Sequence, residues 1–324
     1  MAAAPPMLEV KLSSPYYISL SRQLDFRACV MDIIERTGVS EEDNKKILFS
    51  SPNVLREELF QEFAKCFVPQ SIDPIHNYEL YEIFGDLSLN KATISYLFRI
   101  LKPRLSKIES GKSLAYFDKL KAYYISKKFY SNLSRTIGFD EFINRVCFSD
   151  SGKQLMASKQ KNIDDLHEDV MEAFIGCLEL QLDTYIGMHR GFVYVSNFIY
   201  DLFSDVEINF DPTPLWTPAM LLKETNDKIR AHNTRSPQQK LSTFAVQPVL
   251  GRPNTYKMVE TGRDGKGYDV QNGVVTNQDR AEAENILAAN ALSFIITSGQ
   301  YRGDLIQRAP TPADLGIADL VASK

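Results

Sequence analysis

The chain has 324 residues and a net charge of −4, long enough to bury a substantial core in two domains and, with an isoelectric point near 5.7, too acidic to coat nucleic acid non-specifically. No stretch approaches the ~18 consecutive apolar residues of a membrane helix, and the first residues lack the basic flank and apolar run of a secretory signal; an intracellular protein, cytoplasmic or nuclear and without membrane association, is expected. Cys29, Cys66, Cys147 and Cys177 are scattered with no Cys-x-x-Cys spacing, which points to reduced, buried thiols rather than a zinc site or a disulfide framework.

Residues 1–20, opening Met-Ala-Ala-Ala-Pro-Pro, carry little pattern and read as an N-terminal arm. From Gln23 to Thr37 the spacing of Phe26, Val30, Ile33 and Ile34 suits a helix that Gly38 can end. A short acidic helix over Glu41–Phe49 and a longer one over Val54–Phe67 follow, and Pro69 and Pro74 then break the chain.

The next stretch, Asn77-Tyr-Glu-Leu-Tyr-Glu-Ile-Phe-Gly-Asp-Leu-Ser-Leu-Asn90, places Glu79, Glu82 and Asp86 at three- and four-residue spacing on one helix face. Leu80, Ile83, Phe84, Leu87 and Leu89 are left to enter a core. Like charges roughly 5 Å apart at an effective dielectric near 20 repel by about 3 kcal/mol per pair, and no Lys or Arg lies between Glu79 and Asp86. The stripe is therefore either screened by water or occupied by a cation. The helical pattern continues through Tyr96, Leu97, Ile100 and Leu101 and is expected to stop before Pro103.

Further helices are expected at roughly 114–125, 127–137, 139–147, 163–186 and 190–205. Lys119, Lys121, Lys127, Lys128 and Arg135 form the densest basic run of this half, either a solvated helix face or a phosphate-contacting one. In Asp165-Leu-His-Glu-Asp-Val-Met-Glu-Ala-Phe-Ile-Gly176, Asp169 and Glu172 sit three apart on a face of this segment without Lys or Arg, and the small Ala173 and Gly176 one turn on let another helix approach closely. Two such helices packed together would converge four hard oxygen ligands, an arrangement that suits Mg²⁺ or Mn²⁺.

These two segments resemble the motifs of the ribonuclease III family. Glu79-Leu-Tyr-Glu-Ile-Phe-Gly-Asp86 is similar to its signature Glu-x-Leu-Glu-Phe-Leu-Gly-Asp, and Asp169-Val-Met-Glu-Ala-Phe-Ile-Gly176 to its Asp-x-x-Glu-Ala-x-x-Gly. The stretch Phe117–Phe139 resembles the family's intervening helices. Tyr78 departs from the Asn common before the first Glu, and Tyr81 replaces a Leu. The resemblance implies an all-α endonuclease domain over 21–208 in which Glu82, Asp86, Asp169 and Glu172 bind metal, Mg²⁺ with Mn²⁺ as a substitute, and Glu79 is a supporting acid at the edge. It further implies hydrolysis of double-stranded RNA to 5′-phosphate and 3′-hydroxyl ends, and a homodimer with the apolar side of the signature helix at its interface. The family pattern assigns no chemistry to His167, which reads as a supporting or exposed histidine. The same resemblance admits a catalytically inactive member that serves a ribosomal or RNA-processing complex. A helical di-metal oxidase would need Glu-x-x-His pairs, and the chain has none.

Asp211-Pro-Thr-Pro-Leu-Trp-Thr-Pro218 reads as a stiff linker over 209–218, because three prolines in seven residues do not continue a helix. Beyond it, a helix over Ala219–Arg230, strands over Thr243–Val249, Tyr256–Thr261 and Tyr268–Val275, and an Ala-rich helix over Gln278–Ile296 are expected. This α-β-β-β-α order resembles a double-stranded-RNA-binding domain, a small α+β unit over 219–298. Its last helix opens with Asp279-Arg-Ala-Glu-Ala-Glu284 where that family has phosphate-gripping lysines, which removes the main electrostatic contribution to a duplex contact. Residues 299–324 read as a partly ordered tail.

Overall fold

A computed structural model describes residues 15–106, 110–147, 163–204, 206, 208–262, 264–315 and 317–318. The chain divides into two compact units, Met1–Ser106 with Phe117–Ile208, and Lys107–Tyr116 with Asn209–Lys324. Among the described residues, no helix is long and apolar enough to cross a membrane.

In the first unit the helices are α1 (Pro15–Ser21), α2 (Leu24–Arg36), α3 (Glu41–Leu48), α4 (Glu57–Lys65), α5 (Glu79–Leu105), α6 (Ser110–Tyr124), whose first turns belong to the second unit, α7 (Lys127–Thr136), α8 (Phe139–Cys147), α9 (Ile163–Ile186) and α10 (Gly191–Ser204). Helix α2 ends at Gly38, whose φ of 74° would strain any residue with a side chain. The base of the unit is aromatic: Phe26, Phe67, Phe139, Phe142 and Phe174 pack with ring centroids 4.8–6.3 Å apart, mostly edge to face. These five Phe residues are therefore core.

Four expectations are corrected here. The end of the N-terminal arm is ordered as α1, with Leu20 buried; residues 1–14 lie outside the described set. The helix expected over Val54–Phe67 starts only at Glu57, because Phe49–Ser51 (β1) and Val54–Leu55 (β2) form a small antiparallel hairpin. Its turn places Asn53 at φ 65°, a conformation asparagine tolerates, and Arg56 fastens the hairpin by donating to the carbonyls of Lys46, Ile47 and Phe49. Apart from this short hairpin the unit is helical, compatible with the expected all-α domain. Helix α5 runs through Pro103 to Leu105, and beyond the proline the Ser106 N–H still donates to the Lys102 carbonyl. The fourth correction concerns the buried face of α5, which consists of Gly85, Ser88, Leu89, Ala92, Thr93, Leu97 and Leu101. Leu80, Ile83 and Leu87 are 75%, 69% and 67% exposed.

The second unit has the order α11 (Pro218–Arg235), β3 (Thr243–Pro248), β4 (Thr255–Thr261), β5 (Gly267–Thr276) and α12 (Arg280–Thr297). The strands make one antiparallel sheet in the order β3-β4-β5. Both helices cover one face, over a core that includes Leu222, Ile229, Phe244, Met258, Leu287 and Ile295. Pro218 begins α11 rather than ending a linker: Thr217 accepts the Met220 N–H as N-cap, and proline at the first helical position has no N–H to leave unsatisfied. The preceding Pro-rich segment is packed, with Trp216 stacked near Tyr116 and the Tyr116 hydroxyl donating to the Phe210 carbonyl at 2.8 Å. The tail is anchored too. Tyr301 Oη donates to the Ser242 carbonyl, the Gln307 N–H donates to Thr225 Oγ1, and Leu305, Leu315 and Ile317 are buried.

Candidate active site

The most extensive helix contact in the first unit is between α5 and α9, and glycine sets its distance. A methyl group on Gly85 would lie 1.7 Å from the Glu172 carbonyl oxygen, and one on Gly176 would lie 2.2 Å from the Tyr81 carbonyl oxygen. The two backbones therefore touch at Gly85 and Gly176, which puts the side chains that flank this crossing around a common space.

Glu172 sits at its centre. It is 8% exposed, and its carboxyl is pushed up to about 9, first by burial and then by the charges of Asp86, Glu168, Glu82 and Asp169. Four of the five expected site acids, Glu82, Asp86, Asp169 and Glu172, are thereby brought into one neighbourhood. The fifth, Glu79, is exposed in the first turn of α5, where its charge acts on the Tyr78 hydroxyl.

Each aspartate is held by a neutral donor. Tyr78, 1% exposed, donates its hydroxyl to Asp169 Oδ2 at 2.9 Å. Its own N–H donates to the Val68 carbonyl at 3.1 Å, so the residue is pinned at both ends. On the other side Asn90 Nδ2 donates to Asp86 Oδ1 at 2.6 Å, and the buried Tyr130 hydroxyl donates to Asn90 Oδ1 at 2.9 Å. Burial and the nearby acids raise the pKa of both tyrosines, which therefore stay protonated as donors.

Three features of the neighbourhood were not legible from the segments taken singly. Glu168 joins the acids around Glu172. Lys127 of α7 reaches α9 and bonds Asp165 Oδ1 at 2.9 Å and Glu168 Oε2 at 3.2 Å, so the acidic helix is partly neutralised from outside its own sequence, and Glu168 is nonetheless raised by burial. His167 is buried: its Nε2 donates to Asp140 Oδ1 at 2.9 Å, and Nδ1 accepts from Ser134 Oγ at 3.2 Å. Burial lowers its pKa from the ordinary 6.5, so it is a neutral tie between α7, α8 and α9 and not an exposed group. Arg135 likewise binds Asp164 of α9, so two members of the basic run serve helix packing. Position was the only signal for Tyr78, which stands one turn ahead of Glu82.

Among the described residues, no three His, Cys, Asp or Glu side chains are arranged as a ready metal-holding group. The chemistry of the donors nevertheless fits a hard divalent cation. They are all carboxylate oxygens, and the neighbouring acids add to burial in pushing the Glu172 carboxyl up. The four thiols are free; Cys66, Cys147 and Cys177 are buried and Cys29 is only partly so.

The chain thus has a helical unit in which carboxylates cluster where two long helices cross, and a small α-β-β-β-α unit. Over 164 residues, 50% of this chain, it is 31% identical to a protein of frog virus 3 (isolate Goorha) named "Putative ribonuclease 3", of which the alignment covers 41%. Over 165 residues, 51% of this chain, it is 26% identical to a protein of invertebrate iridescent virus 6 with the same name, of which 49% is covered. The chain spans about half the length, or less, of these curated relatives. No family model matches it. The sequence relationship is thus to ribonuclease III-like proteins of viruses.

Proposed function

We propose that the first unit is a divalent-metal-dependent endoribonuclease that hydrolyses double-stranded RNA to 5′-phosphate and 3′-hydroxyl ends. The observation that carries this reading is the gathering of Glu82, Asp86 and Asp169 around a Glu172 whose carboxyl is pushed up to about 9, in segments that match ribonuclease III motifs in order and spacing. Glu82, Asp86, Asp169 and Glu172 would hold Mg²⁺, or Mn²⁺ in its place. When bound, such a cation supplies the charge that makes a water nucleophilic and stabilises the leaving oxygen. The chain's own part is to bring the four acids together across the Gly85–Gly176 crossing and to orient the two aspartates.

The experiment is cleavage of an end-labelled RNA duplex with Mg²⁺ by wild type, Asp86→Asn and Glu172→Gln. Both variants should lose at least a hundredfold in rate, an order-of-magnitude expectation for removing a group that acts on developing charge, while circular dichroism shows them folded. Equal rates in all three proteins would assign the cutting to a contaminant and favour a catalytically inactive role in an RNA-processing complex.

We further propose a homodimer. Leu80, Ile83 and Leu87 recur at helical spacing as an exposed stripe on α5, a surface that a second copy would cover. Ile83→Lys should convert a dimer to a monomer in sedimentation experiments; an unchanged mass would remove α5 as the interface. The second unit is proposed to be a diverged double-stranded-RNA-binding domain with a weak phosphate grip. This is supported by the first turn of α12, where Asp279 caps the N–H groups of Ala281 and Glu282, and Glu284 pairs with Arg280.

A further inference from the structure

We propose that the second unit holds a cleft for a single unpaired nucleotide of RNA, at the outer edge of β3. This rests on the reading of that unit as RNA-binding and deepens it. The sheet order β3-β4-β5 leaves β3 at an edge, and α11 stands in for the missing strand. Asn226, 5% exposed, accepts the Phe244 N–H at 3.0 Å and donates to the Phe244 carbonyl at 2.7 Å. Asn233, seven residues on, does the same for Leu241, just ahead of β3, at 2.7 Å and 2.8 Å. Seven residues before Asn226 the series ends at Ala219, which has no polar side chain to offer. Phe244 directs its backbone groups outward, so by the alternation of a strand the next residue to do so is Val246. In place of an asparagine, Val246 meets a cleft of about 260 Å³.

The lining suits a nucleotide. Leu222, Phe244 and Ala288 give apolar walls. Every nucleobase carries a donor beside an acceptor on its Watson–Crick edge, the complement of one residue's outward N–H and carbonyl, and bases splayed out of a helix are recognised through that edge. Asn226, also in the lining, spends one amide hydrogen and one lone pair on Phe244, and its Nδ2 and Oδ1 each have a second to offer. Lys223 and Arg230 border the same cleft and are exposed, a place for the phosphate. Arg230 is held by Asp227 at 2.9 Å, and the acid of the lining, Glu284, is offset by Arg280 at 2.8 Å. Lys223 pairs with no carboxylate among the described residues, so its ammonium is the cation at hand. One base bound here would give the unit a contact with RNA that the acidic first turn of α12 does not.

The test is fluorescence anisotropy of the full chain, in EDTA so that binding is read and not cleavage, with a labelled blunt RNA duplex and with the same duplex carrying one bulged nucleotide. The proteins are wild type, Ala219→Leu, which fills the cleft, and Lys223→Glu, which reverses its cation. Wild type should bind the bulged duplex roughly tenfold more tightly, an order-of-magnitude expectation for one stacked and bonded base. Both variants should bring the ratio of the two dissociation constants close to one. Should Ala219→Leu fail to fold by circular dichroism, Lys223→Glu, on the exposed side of α11, reads the same ratio. Equal binding of the two duplexes by wild type overturns the proposal and leaves the RNA-binding reading standing. A preference for the bulge that survives in the folded variants overturns it as well, since the preference then lies elsewhere. A wild type that binds neither RNA overturns both.

Discussion

Gly85→Ala is expected to destabilise the first unit by about 4 kcal/mol or more, beyond the 1–3 kcal/mol typical of overpacked cores. The added methyl would stand 1.7 Å from the carbonyl oxygen of Glu172, and the amide nitrogen of Gly176 is 2.8 Å from the same point. Both are backbone atoms of α9, so no rotamer change relieves the clash. The helices would have to separate by about 2 Å to restore ordinary contact, which opens the remainder of their interface. Gly176→Ala meets the Tyr81 carbonyl at 2.2 Å and should behave alike. Gly111→Ala is the control, since nothing lies within 4 Å of its added methyl and alanine at an exposed helical site is favoured by roughly 0.5–1 kcal/mol. Urea denaturation followed by circular dichroism measures all three. A Gly85→Ala protein within 1 kcal/mol of wild type would mean that α5 and α9 do not cross at this point.

Much of that crossing can be read from residue types alone. Acids at three- and four-residue spacing without intervening cations mark the two helices, and Ala173 with Gly176 marks the side on which α9 is approached. The orientation of α5 was less legible, because that helix carries apolar residues on nearly every side and so has no single stripe to bury. Close approach decides the matter: Gly85, Ser88 and Ala92 are small enough to admit α9, and the bulkier Leu80, Ile83 and Leu87 are turned to the surface. The hairpin at 49–55 had a local signal in Pro52-Asn53, which the helical pattern after it masked. The ties of Lys127 to α9, of His167 to Asp140 and of Tyr78 to Asp169 had no local signal. Each joins residues 27 to 91 positions apart, and such pairs form only once the helices have docked.

Glu172→Gln is expected to yield a protein that is inactive and yet more stable than wild type at neutral pH. In the unfolded chain the Glu172 carboxyl has its ordinary value of 4.5, and in the folded protein it is pushed up to about 9. Between those values the native state retains a proton that the unfolded chain has released, so stability falls as pH rises through this window and levels off above it. The slope is at most about 1.4 kcal/mol per pH unit, which puts the loss by pH 7 on the order of 3 kcal/mol. Glutamine has the shape of the protonated acid and no proton to lose. Denaturation midpoints should therefore decline from pH 5 to 9 in wild type and stay nearly level in the variant, apart from other titrating groups common to both. Mg²⁺ should close most of that gap. A cation drawn to the carboxylates displaces the Glu172 proton and stabilises wild type by about 2.7 kcal/mol at a hundredfold excess over its dissociation constant, whereas the variant should gain much less. A Glu172→Gln protein less stable than wild type at every pH without metal would show that Glu172 is held by favourable partners in the fold, and the crowding of acids around it would no longer support a cation site.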